Sequence, residues 1–323
     1  MPELDPLMRD ALAWVVRLRS GEATKADLAA LQAWRDQSED HDEAFKQAAL
    51  LWKDLRAASE VIKEERKGQP YAFRSRQPQW MASRRAVLGG AIAASAAAYM
   101  VVQPPLGLWP SFSELTADYR TGKGEQRDLS LAQGISVRLN TQTSMTLRRS
   151  EQGESQAELI SGEAAITAKR SPDRPFILLA GSGRIMTAQA MFNTRCIDGV
   201  VSVTCAEGEV EVEHAQSVVR IRQEQRVNYS SAEGLIGPVV GDVVQATAWR
   251  QGLLIFRDRP LAEVVEEVNR YRHGRIVVTN AVLGQRMVNG TFHLHRLDDF
   301  IGQVRQLFGA NVRSLPGGVV LLS

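Results

Sequence analysis

A chain of 323 residues has room for two or three domains, and 39 basic against 37 acidic side chains leave it a net charge of +2. That balance carries no electrostatic footprint for nucleic acid, so direct DNA binding is excluded. Two cysteines, both beyond residue 190, are too few for a disulfide framework.

Residues 1–70 carry three amphipathic helical patterns. Leu7, Ala11, Trp14, Val15 and Leu18 recur at helical steps between Pro6 and Arg19, and Gly21 ends that run. Thr24 with Asp27 predicts a capping box for a second helix whose stripe is Leu28, Leu31 and Trp34. Asp40 with Glu43 predicts a third, carrying Phe45, Ala48, Ala49, Trp52 and Leu55 inward. So short a segment buries only a small core and is marginal without a partner, which is the physical character of a binding module. Trp14, Trp34 and Trp52 read as the core of that bundle, with the gripping surface on exposed neighbours.

Residues 71–85 form a basic, Pro-containing linker ending in Ser83-Arg84-Arg85. After it, AVLGGAIAASAAAYMVV (86–102) contains no charge and reaches roughly 25 Å as a helix, just enough to span a bilayer with little tilt. Its lack of a polar face and the stop at Pro104-Pro105 predict a single transmembrane helix rather than a buried soluble one. Arg74, Arg76, Arg84 and Arg85 precede it, so the N-terminus is expected in the cytoplasm and the C-terminus in the periplasm, single-pass in a bacterial inner membrane. SRRAVLGG also matches a twin-arginine (Tat) signal closely, with Arg84 and Arg85 as its pair. An Ala-x-Ala cleavage site within Ala94 to Ala98 would discard a leader that reads as folded, so a retained anchor is expected.

From 114 to 235 short alternating runs are punctuated by glycines, which predicts an all-β roll or sandwich. Asp198-Gly199 suits a two-residue hairpin turn. That register sets Ile197 opposite Val200, Cys196 opposite Val201 and Phe192 opposite Cys205, with the thiols on the order of 13 Å apart. A disulfide needs Cα atoms within about 7 Å, so both cysteines read as buried thiols. From 245 to 323, strand (252–256), helix (260–271), strand (275–280), strand (288–294), helix (297–308) and a closing hairpin predict an α+β domain with a doubled βαβ pattern. Within it Phe256, Leu261, Val264, Val265, Val268 and Tyr271 mark the first strand and helix. His293 and His295 share a face of one predicted strand, and two imidazoles without a third ligand read as solvent-facing. No phosphate loop, metal motif or nucleophile with a placed base emerges, so neither a cofactor nor an enzyme is expected.

The order of a helical bundle, a membrane helix, a β domain and a C-terminal α+β unit resembles the FecR family of transmembrane anti-sigma factors. The resemblance rests on AWVVRLRSG (13–21), LAALQAW (28–34), HDEAF with LLW (41–45, 50–52), YRTGKGEQRDLSLAQGISVRLNTQTSM, LISGEAAI with RPF, and WRQGLLIFRDRPLAEVVEEVNRYRHGRIVV joined to VNGTFHL. It implies that the bundle, through Trp14, Leu18, Trp34, Phe45 and Trp52, holds an extracytoplasmic-function (ECF) sigma factor. It implies that the C-terminal unit, through Phe256, Leu261, Val264, Val265, Val268 and Tyr271, contacts the signalling domain of a TonB-dependent outer-membrane receptor for an iron chelate. Envelope proteases then release the sigma factor. Relatives carry a Leu-Gly-Thr-x-Phe motif whose Gly-Thr bond self-cleaves; the matching run here is Ala188-Gln189-Ala190-Met191-Phe192, with no hydroxyl at 190, so self-cleavage between Gln189 and Ala190 is expected to be lost. Two other readings are an envelope structural or secretion protein with a secretin-like C-terminal domain, and a Tat-exported hydrolase. The first lacks a reason for the bundle, and the second lacks a nucleophile or metal.

Overall fold

The computed structural model describes residues 5–18, 24–49, 111–149, 155–315 and 318–323. Three helices open the chain: α1 (Pro6–Leu18), α2 (Lys25–Arg35) and α3 (residues 39–49). Thr24 caps α2 with a full capping box, its hydroxyl accepting from the Asp27 amide while the Asp27 carboxylate accepts from the Thr24 amide. The third helix starts two residues earlier than the Asp40 cap implies, because Ser38 supplies the capping hydroxyl to the His41 amide at 3.3 Å. Ala11, Val15, Leu18, Leu31, Ala44, Phe45, Ala48 and Ala49 make the core, and Trp14 and Trp34 pack half-buried on its side. Arg35 ties α2 to α3 by donating to Asp42 at 2.7 Å and lying over the Phe45 ring.

The β region contains β1 (Tyr119–Arg120), β2 (Arg127–Ala132), β3 (Ile135–Leu139), β4 (Ser144–Arg149), β5 (Ser155–Lys169) and β6 (Phe176–Ala180). It continues with β7 (Gly183–Thr187), β8 (Gln189–Ile197), β9 (Val200–His214), β10 (Ser217–Arg222), β11 (Gln225–Ser230) and β12 (Gly234–Val240). All twelve join in one sheet. The 15-residue strands β5 and β9 do this by changing neighbours partway along: β5 leaves β4 after Ser161 and takes β3 from Ala164. Gly162 makes that bend, at φ +101°, and a Cβ there would strike the side chain and backbone of Thr143. The two halves of the sheet face each other over a core that includes Leu139, Met145, Ile166, Phe176, Leu178, Ile185, Phe192 and Val203. Across it the Tyr229 hydroxyl donates to the Ala180 carbonyl at 2.9 Å, tying β11 to β6.

After a one-turn helix (Val243–Thr247) and a 3₁₀ turn (Ala248–Gln251) come β13 (Leu253–Pro260), α4 (Leu261–Tyr271), β14 (Arg275–Val278), β15 (Met287–His293), α5 (Asp299–Phe308), β16 (Val312–Leu315) and β17 (Val319–Leu322). Leu261, Val264, Val265 and Val268 form the buried stripe of α4, and Phe300 and Val304 that of α5, over a core separate from that of the β region. Asn269 clamps α4 to β14, its side chain donating to the Ile276 carbonyl and accepting from the Ile276 amide.

The expected fold class is corrected on two counts. Among the described residues no helix is long and apolar enough to cross a membrane; the run 86–102, the linker 71–85 with Arg84 and Arg85, and Trp52 lie outside those residues. In place of a roll or sandwich of short strands there is one barrel-like 12-stranded sheet, because β5 and β9 are long enough to serve both halves. Nor is there a doubled βαβ: β13 pairs antiparallel with β15 in one sheet, while β14 pairs parallel with β17 in another. A bulge between Phe256 and Arg259, pinned by reciprocal Asp258 and Asn289 hydrogen bonds, holds β13 to β15 and away from β14.

Candidate functional site

Outward-facing residues of β3, β5 and β8 would ordinarily be wet, but here the C-terminal unit sits on them. Arg270, on α4, donates to Glu163 on β5 at 2.9 Å and to Glu267 one turn earlier at 2.6 Å. Glu267 reaches back to Arg195 on β8 at 2.6 Å. The remaining lone pairs of Glu163 are filled by the amides of Asn140 and Asn193, each at 2.9 Å. Asn140 also donates to the Tyr271 hydroxyl, and the Trp249 indole N–H donates to Asn193 at 3.2 Å. Glu163 is 4% exposed, so these bonds operate in a low-dielectric setting.

Burial alone would push the Glu267 carboxyl up, yet the charges of Arg195 and Arg270 outweigh it and hold the group well below the ordinary carboxylate range. Burial likewise opposes the charge on Arg270, and Glu267 with Glu163 more than restores it. Tyr271 is pushed up by desolvation and stays protonated. Two donors remain without a partner, Arg270 Nη2 and Arg226 Nε. Beside the network opens a cavity of about 620 Å³, walled by Ser202, Thr204 and Arg226 on one side and Phe256, Glu263 and Glu267 on the other. Away from the cavity, Lys123 also reaches the C-terminal unit, donating to the Gly274 carbonyl at 3.1 Å, and burial followed by the charges of Arg275 and Arg272 lowers its ammonium to about 8.

Of the residues singled out from sequence, Phe256 and Tyr271 fall at this site and the other described ones do not. Leu18 and Phe45 are buried in the bundle core, whereas Trp14 and Trp34 are half-exposed at its side. Phe256, Leu261, Val264, Val265, Val268 and Tyr271 are buried and build the interior of the C-terminal unit; Phe256 and Tyr271 also line the cavity. His293 ends β15 and His295 lies in the following 3₁₀ turn, so the two do not share a strand, and among the described residues no cluster of three metal-ligating side chains occurs. Asn140, Glu163, Asn193, Arg195, Trp249, Glu267 and Arg270 escape sequence reasoning, because a polar residue at an outward strand, helix or loop position looks solvated and nothing local marks Trp249 as its partner. One signal is present: Ala165, small and outward on β5, joins the core of the other unit.

Residues 117–211 match the FecR protein family, and residues 9–51 match a domain of unknown function, DUF4880. Residues 117–211 are thus similar to a FecR domain. Two solved structures of a putative anti-sigma factor from Parabacteroides distasonis ATCC 8503 share the fold of this chain. One is 24% identical with a TM-score of 0.56, spanning 64% of this chain and 97% of its own; the other is 23% identical with a TM-score of 0.55, spanning 63% and 96%. No curated protein matches the chain.

The FecR domain thus supplies one side of the junction, Asn140, Glu163, Asn193 and Arg195, while Trp249, Glu267, Arg270 and Tyr271 lie beyond it. Within the FecR domain the hairpin at Asp198-Gly199 has both residues at positive φ, and Phe192, Cys196 and Ile197 pair with Cys205, Val201 and Val200 as the two-residue turn predicts. Both cysteines are free and buried, and desolvation pushes each thiol up to about 11. Gln189 opens β8, and Ala190 pairs with Ala168 and Gly208.

Proposed function

We infer that the protein is a regulatory anti-sigma factor rather than an enzyme. The observation that carries this reading is the union, in one chain, of a segment matching DUF4880 with one matching FecR, in a fold shared over about two thirds of the chain with the two Parabacteroides distasonis structures. In this reading an ECF sigma factor is held by the exposed surface around Trp14 and Trp34, and Leu18 and Phe45 keep the helices that present it in register. The C-terminal unit receives the signal from the periplasmic domain of a TonB-dependent receptor in iron-chelate uptake, and envelope proteases act downstream of it.

The charge distribution around residues 84–102 supports placing the N-terminal helices in the cytoplasm and the FecR domain in the periplasm. A reporter fused after Ser111 that stays active only in the cytoplasm overturns that placement. The functional reading is tested by copurification: the full chain should bring down a sigma factor, and a chain lacking residues 5–49 should not. Capture that survives that deletion, or no capture at all, refutes the assignment.

A further inference from the structure

The FecR domain and the C-terminal unit have separate hydrophobic cores, and Ala165 is the single FecR-domain residue in the core of its neighbour. What joins them is polar. Besides the Glu163, Arg270, Glu267 and Arg195 chain, Thr141 donates to the Arg270 carbonyl at 2.8 Å, Arg138 to the Arg250 carbonyl at 2.8 Å and Gln126 to the Trp249 carbonyl at 3.1 Å.

A contact of this kind opens differently from an apolar one. On separation each of these donors and acceptors finds water instead. Buried ion pairs recover little net stability, because desolvating both partners offsets their attraction. Arg270 Nη2, sealed away without an acceptor, adds a further cost to the closed form. The cavity gives solvent an entry beside the network, and the chain crosses between the units once, at residues 241–248.

We propose that the junction is a reversible latch: the C-terminal unit undocks from the FecR domain as a folded body, breaking the contacts of Arg270 and Arg195 and releasing Trp249 from Asn193. Undocking is the step by which an event at the C-terminal unit reaches the FecR domain, and in that respect the latch rests on the signalling role inferred above.

The test uses the full chain labelled with 5-fluorotryptophan, with the Trp249 fluorine resonance assigned through Trp249→Phe. Glu163→Gln and Arg270→Met should each raise the solvent-exposed fraction of that resonance about tenfold or more, while Glu163→Met combined with Arg270→Met should return it to the closed position. In the unaltered chain, urea should expose Trp249 before the FecR core melts. Single variants that leave the resonance where it was, or exposure of Trp249 in one transition with the core, overturn the latch. Sigma-factor capture is scored separately on the same samples, so that its absence counts against the functional reading and leaves the latch standing.

Discussion

Arg270 and Glu163, 107 residues apart in sequence, meet at 2.9 Å across the boundary between two hydrophobic cores. Truncating one partner strands the other. Arg270→Ala leaves Glu163 and Glu267 facing each other without their shared cation, and we expect a loss of about 3–5 kcal/mol in urea unfolding. The double change Glu163→Met with Arg270→Met should cost far less, since it removes both charges and fills the space.

Glu267 sets an acid limit. Its carboxyl lies below its ordinary value of 4.5 in the folded protein, so the stability it contributes is present above that value and drains away as pH falls through the depressed one. Thermal melts between pH 6 and pH 3 should show the decline, and Glu267→Gln should flatten it.

Lys123 acts with the same sign in the alkaline range. Its ammonium is lowered to about 8 from 10.5, so between those values the unfolded chain binds the extra proton and stability rises with pH. Lys123→Met should abolish that rise, read as the loss of the upward slope in melting temperature between pH 8 and pH 9, below the range where the two raised thiols act against it.

With both thiols pushed up to about 11 by burial, Cys196 and Cys205 should ignore an aromatic disulfide reagent at pH 8 in the folded state. Both should react on denaturation, since neither is in a disulfide. Rapid labelling of the native protein would show that the FecR core is open.

The backbone between Gln189 and Ala190 should stay intact. Ala190 brings no hydroxyl to attack the preceding carbonyl, so purified protein incubated for days should run as one chain. Two fragments separating at that bond would show that another nucleophile substitutes. Gly162→Ala is the structural counterpart: at φ +101° against Thr143 it should prevent β5 from serving both halves of the sheet, and we expect insoluble protein.

Local features were legible in the sequence because their causes are local. The helical stripe of α1, the Thr24 and Asp27 capping box, the hairpin at Asp198-Gly199 and the pairing of Phe192 with Cys205 each depend on residues a few positions apart, whose periodicity and turn chemistry can be read directly. The stripe of α5 was legible up to Val304, while Leu307 is 74% exposed because the buried face continues at a four-residue step to Phe308.

Strand partnership was decided only by the tertiary structure. A segment such as Leu253–Pro260 is equally suited to a parallel or an antiparallel neighbour, and it is the Asp258 and Asn289 pairing, 31 residues apart, that selects β15. The same holds for the junction: Glu163, Asn193 and Arg195 occupy strand positions whose alternation says only that they leave their own core. Whether they then meet water or another folded unit depends on contacts more than a hundred residues away in the case of Glu163 and Arg270, and a local pattern carries no information about distances of that order.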